Sequence, residues 1–289
     1  MPTVRAGDLA MSYLEAGAGA RPFVLVHGFT GSSDDFADVL PALAAHGRTL
    51  APDLRGHGAT SRPGAASDYT FERLADDVIG FLDALGVERC DLLGHSMGGV
   101  VAQLVALRAP ERVASLVLMD TAAGPVLREA RPFLEGAARI ALGSGMEALF
   151  QLQRANFAGQ AARAPALARC VERMGEERFW ARMRAKTLAM DPVAFATLGP
   201  LLCTHEGVER RLGEIRCPTT VLVGAQESAP LAHGARALAA GIPGARLVVI
   251  EDAAHSPQLE NPEAWLAAVT EHLSHARRRG RRERAMRDG

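Results

Sequence analysis

Short apolar runs without regular polar alternation recur along the chain, at residues 23–26, 49–51, 91–93, 114–119, 220–223 and 246–250. Most of them are followed by Gly, Asp or Pro, the pattern of parallel strands covered on both faces. Helical periodicity fills the intervals 34–45, 71–85, 97–108, 231–240 and 262–273. This alternation predicts an α/β fold: a mostly parallel, doubly wound sheet of about eight strands. The first twenty residues, with their Gly7-Asp8 turn, read as an antiparallel hairpin at one edge.

One interval breaks the rhythm. Residues 124–207 contain no strand-like run, and helical stretches at 128–142, 146–156, 176–190 and 192–202 fill them. An all-helical insertion between two parallel strands reads as a cap over the sheet's C-terminal edge, where open α/β sheets bind ligands. The expected organisation is therefore a core of 1–123 and 208–275, a helical cap of 124–207 and a tail of 276–289. That tail carries seven arginines in fourteen residues and reads as a solvated, disordered end.

Composition narrows the function classes. Apolar residues make up 48% and charged residues 22%, enough for a core that needs neither disulfide nor metal. A net charge of −1 provides no field to draw in nucleic acid or an anionic membrane. Cys90, Cys170, Cys203 and Cys217 are scattered, as free thiols in a reducing compartment would be. The start of the chain lacks the apolar stretch of a signal peptide, and no run approaches the ~20 residues of a membrane span. A cytoplasmic protein with no nucleic-acid or membrane partner is expected. Of the 32 basic residues only Lys186 is lysine, a bias that a GC-rich coding sequence explains.

Chemistry enters after the strand at 91–93. Gly94-His95-Ser96-Met97-Gly98-Gly99 leads into a helix, so G-x-S-x-G stands in the strand–turn–helix setting that exposes a nucleophilic serine. Acyl transfer also needs backbone N–H donors for an oxyanion. Met97, following the nucleophile, supplies one, and Phe29 in the loop His27-Gly28-Phe29-Thr30-Gly31 supplies the other. Among nine histidines, His255 follows the last strand by a short loop and precedes the last helix, which places it at the same sheet edge as Ser96. Its carboxylate partner is Glu227, after the strand at 220–223, with Asp120, after the strand at 114–119, as the rival.

Together with Asp53-Leu54-Arg55-Gly56-His57-Gly58, these motifs resemble the α/β-hydrolase superfamily, closest to its capped esterases, enol-lactonases and carbon–carbon bond hydrolases. The resemblance covers nearly the whole chain except cap and tail. It implies an aspartate where this chain has Glu227, and often a glycine where it has Ala254. Carbon–carbon hydrolases of the group often carry Asn at the place of His95. The menaquinone-pathway lyase carries Arg at the place of Val100, and the missing cation argues against a carboxylate-rich substrate. The expected activity is a serine carboxylesterase on a small, mostly apolar ester, with a lactone close behind and no metal or organic cofactor. His95, Phe133, Phe150, Phe179, Trp180 and Phe195 are the expected pocket lining.

Overall fold

A computed structural model describes residues 1–285, with side chains as far as Arg279. Eight strands form one sheet: β1 (Thr3–Ala6), β2 (Leu9–Ala16), β3 (Phe23–Val26), β4 (Thr49–Pro52), β5 (Cys90–His95), β6 (Val113–Met119), β7 (Thr219–Gly224) and β8 (Arg246–Ile250). Their order is β1-β2-β4-β3-β5-β6-β7-β8. β2 runs antiparallel to β1 and β4, and every pair from β4 to β8 is parallel. The predicted hairpin and the mostly parallel sheet are both present.

The helices are α1 (Leu40–Ala44), α2 (Phe71–Ala84), α3 (Met97–Arg108), α4 (Arg131–Arg163), α5 (Pro165–Met174), α6 (Glu176–Ala189), α7 (Pro192–Leu201), α8 (Ala229–Gly241), α9 (Pro257–Glu260) and α10 (Pro262–Ala285). Alternate residues of each strand point to opposite faces. Val24, Val26, Leu92, Leu116, Leu118 and Val221 therefore join α2, α3 and α8 in one core. Phe23, Leu25, Leu93, Val117, Met119 and Leu222 join α1 and α10 in the other, closed by the fully buried Trp265. Both faces being covered explains why the central strands read as unbroken apolar runs. β8 departs from that expectation: as the edge strand it leaves Leu247 and Val249 exposed.

Between β6 and β7 the chain leaves the sheet for α4 to α7. α4 is two helices joined at Gly145, whose φ of 85° breaks the helical path. α5 has no counterpart among the predicted stretches. The tail also differs from expectation: α10 continues through it to Ala285, because the arginines themselves are good helix formers. Residues 286–289 of that predicted tail lie outside the described residues. Among the described residues no helix is long and apolar enough to cross a membrane.

Candidate active site

At the end of β5 the chain turns through Ser96 straight into α3, and Ser96 takes φ 53° and ψ −118°, strained for a residue with a Cβ. Close packing imposes the turn. A Cβ on Gly94 would stand 2.2 Å from the Gly98 carbonyl oxygen, and one on Gly98 would stand 2.4 Å from that of Val26. The Ser96 N–H donates to the Met119 carbonyl at 2.9 Å, while the Ser96 carbonyl accepts from Thr121 Oγ1 at 2.7 Å. The hydroxyl is thus fixed at the start of α3, where the helix end favours developing negative charge.

His255 arrives from the loop after β8. Its Nε2 accepts from Ser96 Oγ at 3.0 Å, and its Nδ1–H donates to Glu227 Oε2 at 2.5 Å. Three further bonds hold the loop: His95 Nε2–H donates to the His255 carbonyl at 2.6 Å, and Glu260 Oε2 accepts from the N–H groups of Ala254 (2.5 Å) and Ser256 (3.3 Å). Burial disfavours charge on His255, but the charge and hydrogen bond of Glu227 outweigh it and raise the imidazole pKa. The same contact holds Glu227 below the usual range against its own burial. Asp120 makes no hydrogen bond with His255: its Oδ1 accepts from Gly224 N–H at 2.9 Å. Burial, then the neighbouring Glu227, push the Asp120 carboxyl well up from the ordinary carboxylate range.

The Phe29 loop faces Ser96 from the end of β3. His27 Nδ1–H donates to Gly28 O at 2.8 Å and its Nε2 accepts from Leu54 N–H at 3.0 Å, while His57 Nε2 meets Phe29 O at 2.5 Å. Burial holds both imidazoles down to about 4, so they brace the loop as neutral rings. Among the described residues, neither the Phe29 nor the Met97 N–H donates within the protein. Also among the described residues, no group of three or more His, Cys, Asp or Glu is placed to hold a metal.

Ser96 and His255 open onto a cavity of about 400 Å³ beneath the helical insertion. Of the predicted lining, His95, Phe150, Phe179 and Trp180 are there. Phe133 is not; it faces outward, 54% exposed. Nor is Phe195, which is buried and stacks on Phe29 with ring centroids 5.0 Å apart. Periodicity marks an apolar face but not which neighbour that face meets. Phe157 and Met183, large residues of the same insertion expected to be able to face the pocket, line it too, whereas Gln153, Gln160 and Lys186 were not anticipated. Lys186 brings a cation to the cavity from α6, although position 100 holds Val as the sequence shows. Its pairing with Asp35 spans 151 residues and leaves no local pattern to find.

The model of the alpha/beta hydrolase fold family matches residues 21–262. The chain belongs to that family. This hydrolase is 30% identical over 280 residues to a 2-hydroxy-6-oxononadienedioate/2-hydroxy-6-oxononatrienedioate hydrolase of Paraburkholderia xenovorans, covering 93% of this chain and 92% of the relative. An enol-lactonase from Burkholderia xenovorans superposes with a TM-score of 0.77 at 27% identity, over 94% of this chain and 100% of the other. A thermophilic esterase from Thermogutta terrifontis does so with a TM-score of 0.79 at 28% identity, over 95% and 98%. Four other curated relatives match over only 111 to 129 residues, so that the chain spans 31–42% of their length, while two more match over 282 and 259 residues, 92% and 95% of theirs.

Proposed function

We propose that this chain is a serine hydrolase that cleaves small, mostly apolar carboxylic esters through an acyl-enzyme. The observation that carries this reading is the continuous chain Glu227–His255–Ser96, opening onto a cavity walled by aromatic side chains. Ser96 Oγ attacks the ester carbonyl as His255 Nε2 takes its proton, and the Phe29 and Met97 amides receive the oxyanion. His255 then returns the proton to the departing alcohol. Water repeats the sequence on the acyl-enzyme and frees the acid. Glu227 fixes the Nδ1–H tautomer throughout. Asp120, bonded instead to the Gly224 N–H, lies beside the Glu227–His255 pair.

A lactone is the second reading. Its leaving alcohol stays tethered to the acyl group, so the same groups serve, and the likeness to an enol-lactonase supports it. The test is hydrolysis of p-nitrophenyl acetate to octanoate by wild type and Ser96→Ala, with a fluorophosphonate label mapped by mass spectrometry. The expected result is label on Ser96 and a loss of about 10³-fold or more in the variant. Turnover that survives the substitution, or label elsewhere, removes the assignment.

A further inference from the structure

The ammonium of Lys186 reaches from α6 to Asp35, just beyond the Phe29 loop, and only 10% of its side chain is exposed. Asp35 spends its other oxygen on the Ser32 N–H at 3.2 Å. Both residues line the cavity that holds Ser96. Among the described residues Asp35 is the only hydrogen-bond partner of this ammonium. An ammonium carries three N–H donors, so two remain for acceptors in this cavity or in the neighbouring one lined by Ser32, Asp34 and Arg182, which Lys186 also borders. Buried donors of this kind cost free energy until an acceptor meets them.

We propose that Lys186 recognises an uncharged oxygen of the substrate, a carbonyl or hydroxyl lying away from the scissile bond. Charge sets the preference. Asp35 already neutralises Lys186, and the other charged side chain of this wall, Glu260, is acidic, so a substrate carboxylate would meet no unpaired cation there. A carbonyl dipole accepts the free N–H groups without bringing a charge to be balanced. The inference rests on the cavity being the substrate site of the proposed serine hydrolase, and it narrows the substrate from apolar to apolar with one oxygen at a distance.

The test uses p-nitrophenyl esters of heptanoic, 4-oxoheptanoic and 6-oxoheptanoic acids with the heptanedioate monoester, and pentyl against 4-oxopentyl butyrate. In the wild type the best oxo ester should exceed its plain parent in kcat/KM by about tenfold, the worth of one hydrogen bond to a charged group, with the monoester below the parent. Lys186→Met combined with Asp35→Asn removes the pair without stranding a buried charge, and the ratio should fall to about one. No oxo preference in either series, a preferred carboxylate, or a ratio that survives the double substitution overturns the inference. Ser96→Ala keeps the cavity, and in calorimetry it should bind methyl 6-oxoheptanoate about tenfold more tightly than methyl heptanoate. Equal affinity there overturns the inference even if ester turnover is absent, an absence that would count against the hydrolase reading alone.

Discussion

One imidazole controls the proposed reaction, because Ser96 can pass its proton only to a neutral His255. Glu227 raises the imidazole pKa, so activity should rise with pH as His255 loses its proton. Glu227→Gln removes the opposing charge and leaves burial dominant, which lowers the pKa. The acid limb of kcat/KM should then move to lower pH while its plateau falls by about 10²- to 10⁴-fold. An unmoved limb, with the shift appearing instead in Asp120→Asn, would transfer the role to Asp120. Glu260 acts further out by holding the amides on either side of His255. Glu260→Ala should lower kcat by about tenfold with KM little changed, and Glu260→Gln, which keeps an acceptor, should restore most of it. A KM effect of equal size in both variants would point to substrate contact instead.

Among the elements, the turn between β5 and α3 stores strain. Ser96→Ala and Ser96→Gly lose the same hydroxyl, but only alanine must hold a Cβ at φ 53°. The glycine variant should therefore unfold at higher denaturant, by about 1 kcal/mol, despite glycine's usual entropic cost. Equal midpoints would mean that the surroundings relax around the turn. This turn was legible from the chain alone because its causes are local: a strand, two glycines that admit neighbouring carbonyls, and a helix. Ser96, His255 and Glu227, which the structure brings together, could be singled out for a similar reason, each lying within a few residues of a strand's end. Phe133 and Phe195 were misplaced because helix periodicity repeats every turn and says nothing about the partner helix. α5 was missed although Pro165 at its start and Gly175 after its end are helix-boundary signals, because its apolar positions are few.

Across the whole molecule, the insertion is tied to the sheet by charges from one helix face. Arg182 meets Asp34 and Asp38 at 2.5 Å each, Arg178 adds Asp38 at 3.2 Å, and Lys186 meets Asp35. Arg182 is only 12% exposed, while Asp34 and Asp38 are 49% and 44% exposed and Asp38 keeps Arg178. Arg182→Ala should cost about 1 kcal/mol in thermal unfolding and speed limited proteolysis within 131–201. A change in melting alone, with the insertion cut no faster, would show that the clamp stabilises the fold as a unit. None of these pairs was readable beforehand, since each joins residues more than a hundred positions apart and sequence spacing carries no record of such meetings.

The groups proposed to react come from the sheet, whereas most of the aromatic wall comes from the one stretch of chain between β6 and β7. Selectivity and reactivity are therefore encoded in separable lengths of the gene, and grafting that stretch from a relative is a route to new preferences. Asp35 sets the condition. It lies outside the exchanged length yet balances a lysine within it, so a graft that ignores position 35 would carry a lone buried acid into every chimera.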